Sequence, residues 1–202
     1  MRTERPGREA ITGVILAGGR ARRMGGVDKG LSDFAGRPLI EWVIEATAPQ
    51  VGRLLISANR NRQRYASYGY PVVADRLGGY QGPLAGFASA MAVAGTPWIL
   101  TLPCDGPFPP PDLAKRLAAA VSDGAADVAA AWDGERLQPV YALLPVALSG
   151  DLGAYLASGE RGIRGWYARH RTARADFSDR PGCFANLNCV EEARLLARRA
   201  RR

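Results

Sequence analysis

The chain has 202 residues, 47% of them hydrophobic, and a formal charge of +8; length and apolar content suit one globular domain with one core. No apolar run approaches the ~20 residues that cross a bilayer, which excludes a spanning segment. The charge would suit nucleic acid, but no RNP-like aromatic motif, zinc-finger spacing or other nucleic-acid module is present, so a nucleic-acid partner is not expected.

The opening, Met1 to Glu9, is polar and lacks the apolar core of a signal peptide, and residues 1–10 read as a disordered lead. Gly13 to Ala17 is an apolar run long enough for a buried strand. It breaks at Gly18-Gly19, and the following stretch mixes glycines with Arg20, Arg22, Arg23 and Lys29. Glycine allows close backbone approach, and successive N–H groups flanked by cations can hold an anion. The stretch is neither a Walker A loop nor a dinucleotide fingerprint. A plain glycine turn with solvated arginines and a phosphate site both remain open here.

Leu31 to Ala35 leads through Gly36-Arg37 to a helix predicted from Pro38 to Pro49. Arg53 to Ala58 reads as a strand, Asn61 to Tyr68 as a helix, and Pro71 to Ala74 as a short strand followed by Asp75. A glycine-rich loop, Leu77 to Gly86, opens a helix from Pro83 to about Val93. Trp98 to Leu102 is a strand ending in Pro103-Cys104-Asp105, and Asp112 to Val121 is a helix. Strands alternating with helices indicate an α/β fold with a largely parallel sheet. Strands are predicted at Asp127–Trp132, Gln138–Leu144 and Thr172–Phe177, and helices at Ala147–Leu156 and Arg164–Arg169. Asn188, with Glu191 as capping-box partner, would start a final helix.

Ligands of open parallel sheets bind outside the carboxyl ends of the strands. Gly18-Gly19, Ser57 with Asn59, Asp75 and Asp105 all fall at such ends. A carboxylate after an apolar strand, as at Asp105, needs a partner: Mg²⁺ bridging triphosphate oxygens is one, a turn or helix cap the alternative. Lys29 can reach a phosphate as a point charge. Asp75 can instead pair with a loop arginine. His170, the lone histidine, reads as a surface residue rather than a base, and Cys104, Cys183 and Cys189 read as structural, in a reducing cytoplasm.

Leu16-Ala17-Gly18-Gly19, Arg23-Met24-Gly25 and Asp28-Lys29 resemble the signature loop of nucleotidyltransferases, most closely the molybdenum cofactor guanylyltransferase family. Pro103-Cys104-Asp105, Gly159-Glu160-Arg161, Asp176-Phe177-Ser178-Asp179 and Phe184-Ala185-Asn186-Leu187-Asn188 extend the likeness over about Thr12 to Leu195. The resemblance implies a Rossmann-like three-layer α/β fold with a mostly parallel sheet, one domain over 1–202. Its nucleotide-binding half would span about 11–122 and its pterin-binding half about 123–202. It implies transfer of GMP from GTP to the phosphate of molybdenum-molybdopterin, with Mg²⁺ on Asp105. Leu16, Ala17, Gly18, Gly19, Lys29, Ser57, Asp75 and Asp105 would bind nucleotide; Asp105, Lys29 and Arg23 would be catalytic; Arg161, Asn186 and Asn188 would hold the pterin. Family members often carry Asn where Ser57 stands. The chain is expected to act as a monomer, in transient contact with cofactor-supplying and acceptor molybdoenzyme proteins. Ala17-Gly18-Gly19 and the C-terminal asparagine segment disfavour a cytidylyltransferase acting on the same cofactor or on a phosphorylated alcohol, and Asp75 and Asp105 at the rim disfavour a non-catalytic nucleotide- or RNA-binding module.

Overall fold

The computed structural model describes residues 5–17, 28–76 and 82–186. Gly18, Gly19, Arg23, Asn188 with its predicted helix, and Cys189 lie outside them.

Seven strands form the central sheet: β1 (Ile11–Leu16), β4 (Arg53–Ser57), β5 (Val72–Val73), β6 (Trp98–Pro103), β7 (Val128–Trp132), β8 (Leu137–Pro145) and β9 (Thr172–Asp176). A separate hairpin, β2 (Asp33–Phe34) and β3 (Arg37–Pro38), follows β1. The sheet order is β5-β4-β1-β6-β8-β7-β9. β8 pairs antiparallel with both neighbours, and every other pairing in the sheet is parallel. The chain moves outward from β1 to β4 and β5, then returns to place β6 on β1's other side. The order therefore switches between β1 and β6, where an open α/β sheet leaves a crevice.

Side-chain alternation explains the three layers. In β1, Ile11 and Ile15 face a core completed by α1 (Leu39–Thr47) and α4 (Leu113–Asp123), through Ile40, Val43, Leu117 and Val121. Val14 faces the opposite core, covered by α3 (Pro83–Met91), α5 (Ser149–Ala157) and α6 (Ile163–Tyr167), through Leu84, Phe87, Leu152 and Trp166. The short α2 (Arg62–Ala66) links β4 to β5. Gly13 is required by crowding: a Cβ there would lie 2.7 Å from Leu54 Cδ1. Buried Thr12 stays satisfied through Ala94 O at 2.8 Å and Thr96 Oγ1 at 2.7 Å.

Three local readings change. The segment before α1 is not a simple lead-in: Ala35 (φ +54°) and Gly36 (φ +92°) make a tight hairpin turn, and the helix begins at Leu39, with Pro38 in β3. Residues 8–10 of the predicted lead are ordered, because Arg8–Ala10 forms a 3₁₀ turn and Arg8 O accepts the Gly52 N–H at 2.8 Å. His170 is not a surface residue. Its side chain is 11% exposed, its Nε2 lies 3.1 Å from Asp151 Oδ2, and its ring meets the buried Trp166 edge-on at 5.0 Å. Among the described residues, no helix is long and apolar enough to cross a membrane.

Asp151 gathers α5 and α6 together. It accepts from Trp166 Nε1 at 2.7 Å and Arg169 Nη2 at 3.1 Å. The Trp166 hydrogen bond, ahead of the Arg169 and His170 charges, holds its carboxyl below the ordinary value of 3.8. A depressed folded-state value stabilises the fold above the unfolded value, and that contribution fades as pH falls below about 4. Asp151→Asn should therefore cost about 1 kcal/mol at pH 7, and the gap to wild type should narrow at pH 3. Urea unfolding at both pH values checks this; an equal deficit at both would refute the charge argument.

Candidate nucleotide site

The carboxyl ends of β1, β4, β5 and β6 open into one cavity of about 250 Å³. Its wall includes Leu16 and Ala17 from β1 and the residue after it, Ser57 from β4, Asp75 beyond β5, and Asp105 beyond β6. Lys29 closes the side facing Asp105. Six predicted nucleotide-site residues thus meet in space, although up to 89 positions separate them in sequence, from 16 to 105.

Lys29 and Asp105 form an ion pair, Nζ to Oδ2, at 3.1 Å, with side chains 30% and 17% exposed. The pair joins the segments that leave β1 and β6, across the switch point. Aromatic packing supports it from behind. Phe34 of the hairpin, Trp42 of α1 and Phe108, just past Asp105, form three edge-to-face pairs with centroids 5.7–6.1 Å apart.

Asp28, beside Lys29, is a positioning residue that sequence reasoning passed over. Its Oδ1 accepts from Tyr65 Oη at 2.5 Å and its Oδ2 from Asn61 Nδ2 at 2.9 Å. Asn61 reaches it from a left-handed conformation, φ +49°, so the start of α2 is shaped to grip the start of the Lys29 turn. The signal was present as an Asn before a short helix, but only the tertiary fold shows what it holds. Burial, foremost, pushes the Tyr65 hydroxyl far above its usual range, so it stays protonated and can donate.

Among the described residues the partner of Asp75 is Asn59; the loop arginines Arg20, Arg22 and Arg23 lie outside them. Asn59 Nδ2 donates to Asp75 Oδ2 at 2.7 Å, and the Asp75 N–H donates to Asn59 Oδ1 at 2.8 Å. Ser57 is buried and faces Gly86 of α3. A Cβ on Gly86 would lie 2.8 Å from Leu16 Cδ2, 3.0 Å from Ser57 Oγ and 3.7 Å from Asp75 Oδ1. Glycine at that position lets the helix start come down onto the cavity. Gly82, φ +79°, makes the turn into that helix, whose N-terminal dipole end faces the rim.

The predicted pterin residues are less tightly gathered. Asn186 approaches the Asp105 loop: its Oδ1 lies 3.5 Å from where a Cβ on Gly106 would sit. Arg161 is not on the wall of the cavity. Its Nη1 donates to Leu156 O at 2.7 Å and Glu160 O at 2.6 Å, and it borders a separate groove between α3 and α5. The Asp-Phe-Ser-Asp segment is structural here. Asp179 forms a bidentate pair with Arg116 of α4 at 2.7 and 2.8 Å, and Phe177 lies in the core. This clamp carries the chain back toward Asp105. Cys104 is buried, and burial above all pushes its thiol up, so it is not a thiolate nucleophile. Among the described residues no three His, Cys, Asp or Glu side chains cluster as a metal cage. Asp105 offers a single hard oxygen donor, which fits Mg²⁺ held jointly with substrate phosphates rather than by protein alone.

Residues 13–174 match the family model described as a MobA-like NTP transferase domain. The chain belongs to this family. It is 48% identical over 187 residues to a molybdenum cofactor guanylyltransferase of Shewanella loihica, covering 93% of this chain and 95% of that one. A relative of the same name from Shewanella sp. strain MR-4 is 49% identical with the same coverage. Among solved structures, molybdopterin-guanine dinucleotide biosynthesis protein A of Archaeoglobus fulgidus aligns with a TM-score of 0.78 at 20% identity, over 94% of this chain and 98% of that one. A 4-diphosphocytidyl-2C-methyl-D-erythritol synthase of Anaerococcus prevotii aligns at 0.72 with 10% identity, over 96% and 97%. These two distant likenesses establish the shared nucleotidyltransferase fold.

Gly106 ties the site's geometry to a testable clash. A Cβ there would collide with the Tyr141 hydroxyl, which is buried and has no hydrogen-bond partner among the described residues. Gly106→Ala should cost about 1–3 kcal/mol by overpacking. Adding Tyr141→Phe should recover most of it, since the lost hydroxyl made no bond, and the phenyl ring leaves room. Chemical denaturation of both single variants and the double variant reads this; additive losses would contradict it.

Proposed function

We propose that this chain is a guanylyltransferase that moves GMP from GTP onto the terminal phosphate of molybdenum-loaded molybdopterin. The relatives' name over nearly the whole chain supports the reaction. The observation that carries it to these residues is the cavity joining four strand ends, with the Lys29–Asp105 pair on its wall. An acceptor phosphate oxygen bonds to the α-phosphorus, the bond from that phosphorus to the bridging oxygen breaks, and pyrophosphate leaves. The nucleophile is already anionic, so the step needs no protein base. That fits a site in which the one histidine is bound to Asp151 and Cys104 is a buried thiol.

The chain's own contribution is placement and charge. Lys29 would neutralise the triphosphate, joined by Arg23 and by the backbone of Gly18 and Gly19. Leu16 and Ala17 would wall the nucleoside, and Ser57 and Asp75 would contact it. Asp105 would hold Mg²⁺, which when bound spreads the negative charge of the phosphate oxygens. Asn186, Asn188 and Arg161 would hold the pterin, with the first 122 residues serving the nucleotide and the rest the acceptor. The enzyme would work as a monomer in the cytoplasm, meeting cofactor-supplying and acceptor proteins transiently.

Pyrophosphate release with Mg²⁺ and molybdenum-loaded molybdopterin should occur with GTP and not with CTP or ATP. Asp105→Ala should lower kcat by about 10²-fold or more, and Lys29→Ala by a similar factor, with the fold intact by circular dichroism. Release driven by CTP would overturn the base assignment. Full activity in Asp105→Ala would overturn the metal site.

A further inference from the structure

Asn59 sits at a position where a strand-end residue would ordinarily face solvent, yet both ends of its side-chain amide are spent on one partner. Its Nδ2 donates to Asp75 Oδ2 and its Oδ1 accepts the Asp75 N–H, at 2.7 and 2.8 Å. The two bonds close a ring that fixes both the backbone and the carboxylate plane of Asp75. They occupy one carboxylate oxygen and leave the other, Oδ1, toward Gly86 and Ser57 on the cavity wall. No other hydrogen bond to the Asp75 carboxylate is found among the described residues.

The placement says what that oxygen meets. Asp105 follows β6 and Asp75 follows β5, three strand spacings away in the order β5-β4-β1-β6. Three spacings of about 4.8 Å make roughly 14 Å. A nucleotide with its phosphates at Lys29 and Asp105 therefore carries its base, not its phosphates, toward Asp75. A carboxylate oxygen only accepts hydrogen bonds. Guanine's Watson–Crick edge presents two adjacent donors, N1–H and the 2-amino group, whereas adenine presents an acceptor at N1. A carboxylate oxygen set against purine position 1 accepts from guanine N1–H but meets the lone pair of adenine N1, so it rewards guanine and penalises adenine, but only while its plane is held.

We infer that Asn59 is a positioning residue for base selection, locking Asp75 so that its remaining oxygen accepts from the guanine edge. This rests on the nucleotide-site reading above. Asn59 acts through Asp75 and need not touch the base. Its amide also separates it from a merely structural polar residue, because the donor half is what tolerates a carboxylate at 2.7 Å. Replacing that donor with a second carboxylate sets two like charges against each other, and they can coexist only by sharing a proton.

The test is equilibrium binding of GTP and of ATP, each with Mg²⁺, to the full chain by titration calorimetry at pH 6 and pH 8.5. Asn59→Ala should weaken GTP about tenfold and ATP little, so that preference narrows while the thermal midpoint moves by only a few degrees. Asn59→Asp should be worse at pH 8.5 and recover toward pH 6, where one proton restores the bridge; the wild type and Asn59→Ala should lack that recovery. Asp75→Ala is the reference for complete loss of the contact. If Asp75→Ala weakens GTP while Asn59→Ala and Asn59→Asp bind like wild type at both pH values, the inference fails and the nucleotide site stands. If both substitutions at Asn59 weaken GTP and ATP equally, the assignment to the base is overturned. If the wild type binds neither nucleotide, the nucleotide-site reading itself has failed.

Discussion

The Lys29–Asp105 ion pair at the switch between β1 and β6 is the constraint around which the site is arranged. Two adjacent parallel strands end side by side and the order of the sheet reverses between them, so their carboxyl ends leave a crevice. Opposite charges set across that opening hold its two lips at a fixed spacing. Both side chains are mostly shielded, so each is costly to bury without the other. A polyphosphate with a divalent cation presents both signs of charge and so would complement both members of the pair. The same groups that hold the site in shape are thus the ones that would receive the substrate.

Much of the remaining structure keeps that spacing. The Phe34–Trp42–Phe108 cluster links the segment after Lys29 to the segment after Asp105, so the lips cannot separate without breaking aromatic contacts. Tyr65 of α2 and Asn61 at its N-cap grip Asp28. On the far side, Arg116 binds both Asp112 and Asp179, which fastens the turn after β9 onto α4 and brings Asn186 near Gly106. Catalysis by positioning needs this stiffness, because about an ångström of drift at the reacting atoms costs orders of magnitude in rate.

The parallel half was legible because its strands are buried on both faces and its turns carry glycine, proline or aspartate. Runs such as Trp98–Leu102 before Pro103, or Arg53–Ala58, leave little choice of structure, and the cavity followed from where those runs stop. The hairpin at Ala35-Gly36 was not legible. Alanine at φ +54° is paid for by the Phe34 and Trp42 packing, so the usual Asn-Gly signal is missing. The partners of single polar residues were equally hidden. Asn59 and Asp75 lie 16 positions apart, and Asp151 collects Trp166, Arg169 and His170 only once α5 and α6 are packed. Spacing gives the face a residue occupies; it does not give the residue that meets it across the fold.

The central claim is that a nucleotidyl group, and not a terminal phosphoryl group, is transferred within this cavity. Separate incubations with GTP labelled at the α-phosphorus and at the γ-phosphorus, each with molybdenum-loaded molybdopterin and Mg²⁺, test it most directly. The account predicts that the α label ends in the pterin product and the γ label in pyrophosphate. Label from the γ position in the pterin product, or α label recovered only in free GMP or GDP, would contradict it.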